Sequence, residues 1–249
     1  MTSSKPSGYI KGWVEFYKLR FKVTPDVLIP RPETELLVDE VLNYCNLYPE
    51  TCNLILDLGT GSGNIAISIA KNLSLHPKGV NVTIIASDIS QKALKVARQN
   101  AKLHGVEDKI TFLKSNLLSG LNCNLYPETC NLVIVTNLPY IPSARIPYLD
   151  SSVKDFEPHV ALDGGEDGFE LYRKLFQQIK QLSTPGVNSN LHSWSVGWKP
   201  KLIIGEIDYT HGELAANEAQ KYFPQAKVEV KTDLAKKQRV LIINDVPAV

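Results

Sequence analysis

Hydrophobic positions along the chain follow two periodicities that replace each other in turn. Short apolar runs typical of buried strands cover residues 54–58, 82–87, 110–113, 132–136 and 202–206. Between these runs the apolar residues recur every three or four positions, which predicts helices that begin near residue 65 and cover residues 93–101, 170–182 and 213–222. Strands that alternate with helices predict a mostly parallel sheet with helices on both faces.

The two ends of the chain depart from this alternation. Residues 9–23 alternate aromatic and polar positions loosely, which predicts a short hairpin or an extended arm, and Pro32 suits the first turn of the helix that follows. The C-terminal part of the chain is predicted to form two strands, at residues 227–231 and 239–243. The chain between them is too short for a crossover helix. They should therefore pair antiparallel or run beside a third strand. We divide the chain into an N-terminal arm, residues 1–35, and a domain of seven strands, residues 36–249.

A glycine-rich turn follows the first apolar run. Gly59, Gly61 and Gly63 let the backbone turn sharply and approach a ligand, and the next helix presents free N–H groups at its start. This spacing is one residue tighter than the dinucleotide fingerprint, which favours S-adenosylmethionine as the ligand. Asp88 ends the following strand, where a carboxylate can accept both ribose hydroxyls of an adenosine or simply cap the next turn.

Two further polar residues near this turn have open roles. Asp57 precedes the glycines and can either hold the loop together or reach the amino group of the methionine moiety. Asn116 follows the strand that contains residue 112, where its side chain could meet the adenine edge, although an Asn in a loop is commonly a turn residue.

The run at residues 132–136 stops at Asn137-Leu138-Pro139-Tyr140, because Pro139 prevents its continuation. Ligands of open α/β sheets bind at the carboxyl ends of the strands, so these residues are candidates for the acceptor site. The side-chain oxygen of Asn137 and the carbonyl of Leu138 can accept two N–H bonds from a planar amide or an adenine amino group. Tyr140 can stack on such a flat acceptor. A strand-terminating turn without function is the alternative.

Composition narrows the functional classes. The 249 residues are 43% hydrophobic and 21% charged, which describes an ordinary globular protein. We find no apolar stretch of membrane-spanning length and no signal-peptide core near the N-terminus, so we expect a cytoplasmic enzyme. The net charge of +1 weakens the case for a dedicated duplex-binding protein, because neutralising phosphates needs a basic surface.

All four cysteines lie in a decapeptide that occurs twice, at residues 45–54 and 123–132. Four thiolates could bind a metal or form two disulfides. Six residues separate the cysteines within each copy, unlike the short knuckle common in zinc sites, and a cytoplasmic chain favours reduced thiols. We therefore predict a duplicated surface connector and no metal site. If the two following strands are neighbours, Cys52 and Cys130 would lie close together.

Together these patterns resemble the release-factor glutamine N5-methyltransferase family. The resemblance covers most of the chain and rests on Val27-Leu-Ile-Pro-Arg-Pro-Glu-Thr-Glu35, Asp57-Leu-Gly-Thr-Gly-Ser-Gly63, Asn137-Leu-Pro-Tyr140, Glu157-Pro-His159, Ala161-Leu-Asp-Gly-Gly165 and Asp233-Leu-Ala with Arg239. It implies an α/β, Rossmann-like class I fold that uses S-adenosylmethionine. It also implies class I peptide chain release factors as protein substrates, methylated at the glutamine of their Gly-Gly-Gln loop.

The resemblance assigns roles residue by residue. It implies that residues 59–63 (Gly59, Thr60, Gly61, Ser62 and Gly63) and Asp88 hold the cofactor, with Asn137 nearby. It implies that residues 137–140 hold the glutamine amide, and that Arg31 and Glu33 line or brace the entrance, or form a structural ion pair.

Two departures bear on these roles. Leu138 stands where the family usually has proline, and most of the N-terminal helical domain of the bacterial members is missing from this sequence. Asn-Leu-Pro-aromatic is also familiar from rRNA adenine dimethyltransferases, so an N6-adenine methyltransferase acting on RNA or DNA is the alternative. A nucleotide-binding module without catalysis, or a dinucleotide dehydrogenase, is a third possibility.

Overall fold

A computed structural model of the chain describes residues 5–49, 53–75, 82–121, 131–183 and 200–244. The described strands are β1 (Trp13–Phe16), β2 (Leu19–Lys22), β3 (Asn53–Leu58), β4 (Val82–Asp88), β5 (Ile110–Lys114), β6 (Asn131–Thr136), β7 (Pro200–Glu206), β8 (Lys227–Thr232) and β9 (Gln238–Asn244). The described α-helices are α1 (Ser7–Lys11), α2 (Glu35–Leu47), α3 (Asn64–Leu73), α4 (Gln91–His104), α5 (Ser151–Lys154), α6 (Glu170–Ser183) and α7 (Gly212–Tyr222).

Seven of these strands form one sheet in the order β5-β4-β3-β6-β7-β9-β8. The pairs β3–β4, β4–β5, β3–β6 and β6–β7 are parallel, whereas β9 runs antiparallel to both β7 and β8. The predicted seven-stranded, mostly parallel sheet with an antiparallel C-terminal strand is confirmed. The two final strands pair with each other, and β9 also lies beside a third strand.

Helices cover both faces of the sheet, as the alternation predicted. Every residue of β3 is buried, and successive side chains point to opposite faces. Leu54 and Leu56 belong to a core cluster with residues of α6 and α7, whereas Ile55 belongs to a second cluster with residues of α2, α3 and α4. A strand buried on both faces explains the continuous apolar runs in the sequence.

The N-terminal arm packs onto the second of these clusters. Strands β1 and β2 form an antiparallel hairpin, as predicted, and the short helix α1 precedes it. Phe16 and Phe21 are buried in the core cluster of α2, with ring centroids 6.0 Å apart in an edge-to-face arrangement. A boundary at residue 35 stays a prediction.

Several expectations fall on parts of the chain outside the described residues. These are the surface loop at residues 184–198 and the positions of Cys52, Cys123 and Cys130. The strands that follow the two decapeptides are neighbours, because Asn53 of β3 pairs with Asn131 of β6. Cys45 lies buried in α2, where burial raises the pKa of its thiol to about 12.

Neither a cluster of three or more His, Cys, Asp or Glu side chains suited to a metal ion nor a helix of membrane-spanning length and apolarity occurs among residues 5–49, 53–75, 82–121, 131–183 and 200–244.

Candidate functional site

The glycine-rich turn lies between the end of β3 and the start of α3. Its three glycines, Gly59, Gly61 and Gly63, all have positive φ angles, of 73°, 56° and 82°. At Gly63 a Cβ atom would lie 2.8 Å from the Ile67 side chain and 3.3 Å from the Cα of Ala97. Both the backbone conformation and the close packing against α4 therefore require glycine there.

Asp57 stabilises this turn through hydrogen bonds. Its Oδ2 accepts hydrogen bonds from the Thr60 hydroxyl (2.6 Å) and from the backbone N–H of Ala66 (3.1 Å). Its Oδ1 is buried and has no hydrogen-bond partner among the described residues. Burial raises the pKa of Asp57 to about 7, against the opposing effect of the two hydrogen bonds. Asp57 thus braces the loop from a position outside the cavity lining.

Asp88, at the end of β4, contacts the same turn from the neighbouring strand. Its Oδ2 accepts from the backbone N–H of Gly61 (2.9 Å), and its Oδ1 accepts from the N–H of Ser90 (2.8 Å). Burial raises the pKa of this carboxyl, while hydrogen bonds from Ser90, Gly61 and Ile89 lower it. Each carboxylate oxygen offers further lone pairs. Asp88 can therefore accept bonds from a ligand while it keeps both backbone contacts.

A cavity that opens to solvent lies over the carboxyl ends of β3, β4 and β6. Nine of the predicted site residues line it, namely Gly59, Thr60, Gly61, Ser62, Asp88, Asn116, Asn137, Leu138 and Pro139. Asp57 and Gly63 are not among the lining residues. The N-terminal segment contributes Leu28, Arg31 and Thr34 to the wall.

A second, smaller cavity, here called the side pocket, adjoins the first and shares several of its lining residues. Asn137, Leu138 and Pro139 line both, whereas Tyr140 lines the side pocket alone. The turn that ends β6 therefore borders both spaces, as do Leu28, Arg31 and Ala161.

The Asn137 turn is held by a chain of buried hydrogen bonds. The Asn137 Nδ2 donates to the Thr34 hydroxyl (3.1 Å), which donates to Oε2 of Glu206 (2.5 Å). The Tyr140 hydroxyl donates to the other oxygen of Glu206 (2.8 Å). Glu206 is only 1% exposed. Thr34 comes from the segment before α2 and Glu206 from the end of β7, so three distant parts of the chain meet here.

Glu206 and Thr34 were missed as site residues. Thr34 lies in the Arg-Pro-Glu-Thr-Glu segment, but only its neighbours received a role. The signal available for Glu206 was its position at the carboxyl end of a predicted parallel strand, where polar residues face the ligand side.

Leu138 is buried, and its side chain belongs to the core cluster on the α6 and α7 face. Beneath the turn, the glycines after residue 163 allow the backbone to pack closely. A Cβ atom on Gly164 would lie 2.7 Å from the Cα of Tyr140 and 2.8 Å from the carbonyl oxygens of Pro139 and Gly168. All three neighbours are backbone atoms, so a larger residue at position 164 would displace the turn.

Arg31 braces the entrance. Its guanidinium donates to Glu157, whose other oxygen accepts the N–H of Ile29 (3.1 Å). The Glu157 side chain is 1% exposed and that of Arg31 is 33% exposed. Arg31 therefore both lines the cavity and forms an ion pair, so the two predicted roles coexist. Glu33 is exposed and does not line either cavity.

The chain has counterparts among known proteins. Residues 53–194 match the family model described as "Methyltransferase domain". The solved hMettl16 catalytic domain in complex with MAT2A 3'UTR hairpin 6 superposes with a TM-score of 0.65 at 13% identity, covering 94% of this chain and 79% of that one. At this identity the likeness concerns the fold, which is that of a class I methyltransferase.

Sequence comparison is more specific. The chain is 35% identical over 239 residues to the release factor glutamine methyltransferase of Thermodesulfovibrio yellowstonii, covering 96% of this chain and 76% of that protein. It is 42% identical over 181 residues to the enzyme of the same name from Moorella thermoacetica, covering 73% of this chain and 59% of that protein. The chain belongs to the release factor glutamine methyltransferase family.

Proposed function

We propose that this chain transfers a methyl group from S-adenosylmethionine to the side-chain amide nitrogen, N5, of a glutamine in class I peptide chain release factors. One observation carries the proposal: Asn137 and Leu138 line both the glycine-lined cavity and the side pocket. A donor in the first space and an amide in the second would meet at these two residues. The curated relatives bear the name of this activity.

The glycine-lined cavity fits the cofactor. An added Cβ at Gly61 would find its nearest neighbour, the Gly59 carbonyl oxygen, 4.0 Å away, so open space adjoins the backbone there. Asp88 keeps lone pairs for the two ribose hydroxyls, and the start of α3 offers positive dipole character to a carboxylate. Asn116 lines the same cavity and is the proposed neighbour of the adenine edge. Bound there, the cofactor supplies an electrophilic methyl group on sulfur.

The chain's own residues position the acceptor. An amide nitrogen is a poor nucleophile, because its lone pair is delocalised into the carbonyl. Oδ1 of Asn137 and the Leu138 carbonyl can accept its two N–H bonds and stabilise the positive charge that develops as the nitrogen attacks. Tyr140 lines the side pocket, where its ring can stack on the flat amide. Holding the reacting groups in the right orientation can lower the free-energy barrier of a reaction by on the order of 7–11 kcal/mol.

The transfer balances without a further reactant. With the cofactor bound, its methyl group would be taken up by the amide nitrogen, the demethylated cofactor would keep the electron pair of the broken C–S bond, and the nitrogen would release one proton to solvent. A cytoplasmic location would bring the enzyme to its proposed substrate and stays a prediction.

Labelled-methyl transfer tests the proposal. Purified protein is incubated with methyl-labelled S-adenosylmethionine and a class I release factor, its Gln→Ala variant in the Gly-Gly-Gln loop, or bulk RNA. We expect label in the wild-type release factor alone. Label in RNA with none in the release factor would support the adenine alternative and overturn the proposal.

A further inference from the structure

We propose that Glu206 and Thr34 are positioning residues that hold Asn137 with its Oδ1, rather than its Nδ2, facing the acceptor. The proposal rests on the proposed function, since it concerns how the same site recognises an N–H donor. It assigns a role to a buried carboxylate that lines neither cavity but contacts a lining residue of each, Thr34 and Tyr140.

The direction of each hydrogen bond follows from the chemistry of the partners. An ionised carboxylate can only accept, so the Thr34 hydroxyl must give its single proton to Glu206, with an O···O distance of 2.5 Å. The Thr34 oxygen can then only accept from Asn137. The amide of Asn137 must therefore turn its nitrogen to Thr34, as it does at 3.1 Å, which leaves its oxygen for the acceptor.

Tyr140 anchors the other side of the carboxylate. Its hydroxyl donates to the second oxygen of Glu206 (2.8 Å), and burial together with this carboxylate raises the pKa of Tyr140, so the hydroxyl keeps its proton. A carboxylate can accept from Thr34 and Tyr140 at once. A glutamine at position 206 would accept a hydrogen bond through its oxygen but donate one through its nitrogen. The hydrogen bonds that link it to Thr34 and Asn137 could then run in the opposite direction.

The surroundings of Glu206 support its charged form. Burial raises the pKa of Glu206 above its usual value, and the charge of Glu33 adds to this rise; hydrogen bonds from Thr34 and Tyr140 and the positive charge of Arg239 act in the opposite direction. A buried charge costs free energy unless hydrogen bonds compensate it. The hydroxyl groups of Thr34 and Tyr140 and the guanidinium of Arg239 offset part of this cost here.

This arrangement also explains selectivity. Asn137 and Leu138 line the side pocket, and if their oxygens face the acceptor as proposed, an amide fits because it offers two N–H donors. A glutamate carboxylate offers only acceptors and would be repelled. If Asn137 turned over, its Nδ2 would face the nitrogen of the glutamine amide, and donor would meet donor.

The first experiment compares Thr34→Val with Thr34→Ser. Valine has nearly the shape of threonine but can neither accept the hydrogen bond from Asn137 nor donate one to Glu206, whereas serine keeps the hydroxyl that does both. For methylation of the release factor we expect Thr34→Val to lower kcat by about ten-fold or more, since one oriented hydrogen bond is lost. The affinity for S-adenosylhomocysteine should change by less than about two-fold, and Thr34→Ser should restore most of the turnover. Equal kcat in Thr34→Val and wild type, or an equal loss in Thr34→Ser, would overturn the relay.

The second experiment needs no catalysis and so separates this proposal from the proposed function. Asn137→Asp places an acceptor opposite the Thr34 oxygen, whose proton is already given to Glu206, and should lower Tm. With Glu206→Gln added, the new Nε2 can donate a hydrogen bond to the Thr34 oxygen, and the Thr34 hydroxyl can then donate to the new carboxylate at position 137. The double variant should therefore have a higher Tm than Asn137→Asp alone.

The matched control is Glu33→Gln, which removes a nearby charge without touching the relay. Recovery of Tm by Glu206→Gln but not by Glu33→Gln supports the relay. Equal recovery by both would mean that simple charge repulsion is responsible, and the relay would be wrong. If the wild type fails to methylate release factors while this pattern holds, the proposed function fails and the relay stands.

Discussion

The guanidinium of Arg31 forms an ion pair with the carboxylate of Glu157, 126 positions away in the chain. Because the Glu157 side chain is 1% exposed, Arg31→Ala leaves a buried charge that keeps the hydrogen bond from the N–H of Ile29 but loses its ion-pair partner. We expect a loss of about 3 kcal/mol in the free energy of unfolding, measured by urea denaturation. The double variant Arg31→Met/Glu157→Gln should be clearly more stable than Arg31→Ala. A single variant as stable as wild type would show that the pair contributes nothing.

Asp88→Ala should weaken binding of S-adenosylhomocysteine by about 10- to 100-fold, the range expected for lost hydrogen bonds to a charged group. The variant also loses the bond to the Gly61 N–H, which fixes the turn. Isothermal titration calorimetry gives the dissociation constant. Asp108→Ala, an exposed acidic position outside the cavity lining, is the matched control. Unchanged affinity in Asp88→Ala would remove this residue from the cofactor site.

Asn137→Ala should lower kcat by about 100-fold, by analogy with the loss of one preorganised group at a developing charge. Affinity for S-adenosylhomocysteine should fall far less, because the main partner of Asn137 is the acceptor. Steady-state kinetics with a release factor and calorimetry separate the two quantities. An equal loss in both would contradict an acceptor role.

Asp57 should make stability depend on pH. Its pKa rises from 3.8 to about 7 on folding, because the carboxyl is buried. The stabilisation that comes from its protonated form is complete below about pH 4 and is lost as pH rises toward 7, by at most about 1.4 kcal/mol per pH unit. The free energy of unfolding of wild type minus that of Asp57→Asn should therefore fall between pH 4 and pH 7. A flat difference over this window would mean that Asp57 is ionised throughout.

Gly164→Ala should destabilise the protein by about 1–3 kcal/mol, the cost typical of an overpacked site. The added methyl group would lie within 2.8 Å of backbone atoms of Pro139, Tyr140 and Gly168, which cannot rotate away as a side chain can. Thermal unfolding measures the loss. Gly120→Ala tests whether backbone conformation alone has this effect, because that glycine has a φ of 90° but open space around it.

Sequence periodicity predicted the parts of the molecule that depend on neighbours along the chain. The runs at residues 54–58 and 132–136 are apolar because β3 and β6 are buried on both faces, and this leaves a local signature. The glycine turn and the Asn137 turn were also recognisable, because positive φ angles and a proline break have strong residue preferences.

Polar pairs between residues that are distant along the chain leave no such pattern in the sequence. The bond between Thr34 and Glu206 joins residues 172 positions apart, and either residue alone could equally be solvated. Asp57 illustrates the same limit, because the sequence allowed both a bracing and a ligand-binding role. Only the fold shows that its Oδ2 is used by Thr60 and Ala66. The short helix α1 was missed for a different reason, since five residues are too few for a periodic pattern.

The position of β9 has a consequence for how the protein folds during synthesis. This strand, Gln238–Asn244, is inserted between β7 and β8 and pairs with both, although it is the last of the three to leave the ribosome. Until it emerges, β7 has an unpaired edge, and exposed edges of this kind favour association with other chains. Completion of the sheet therefore waits for residues 238–244, and nascent chains stalled before them should be prone to aggregation.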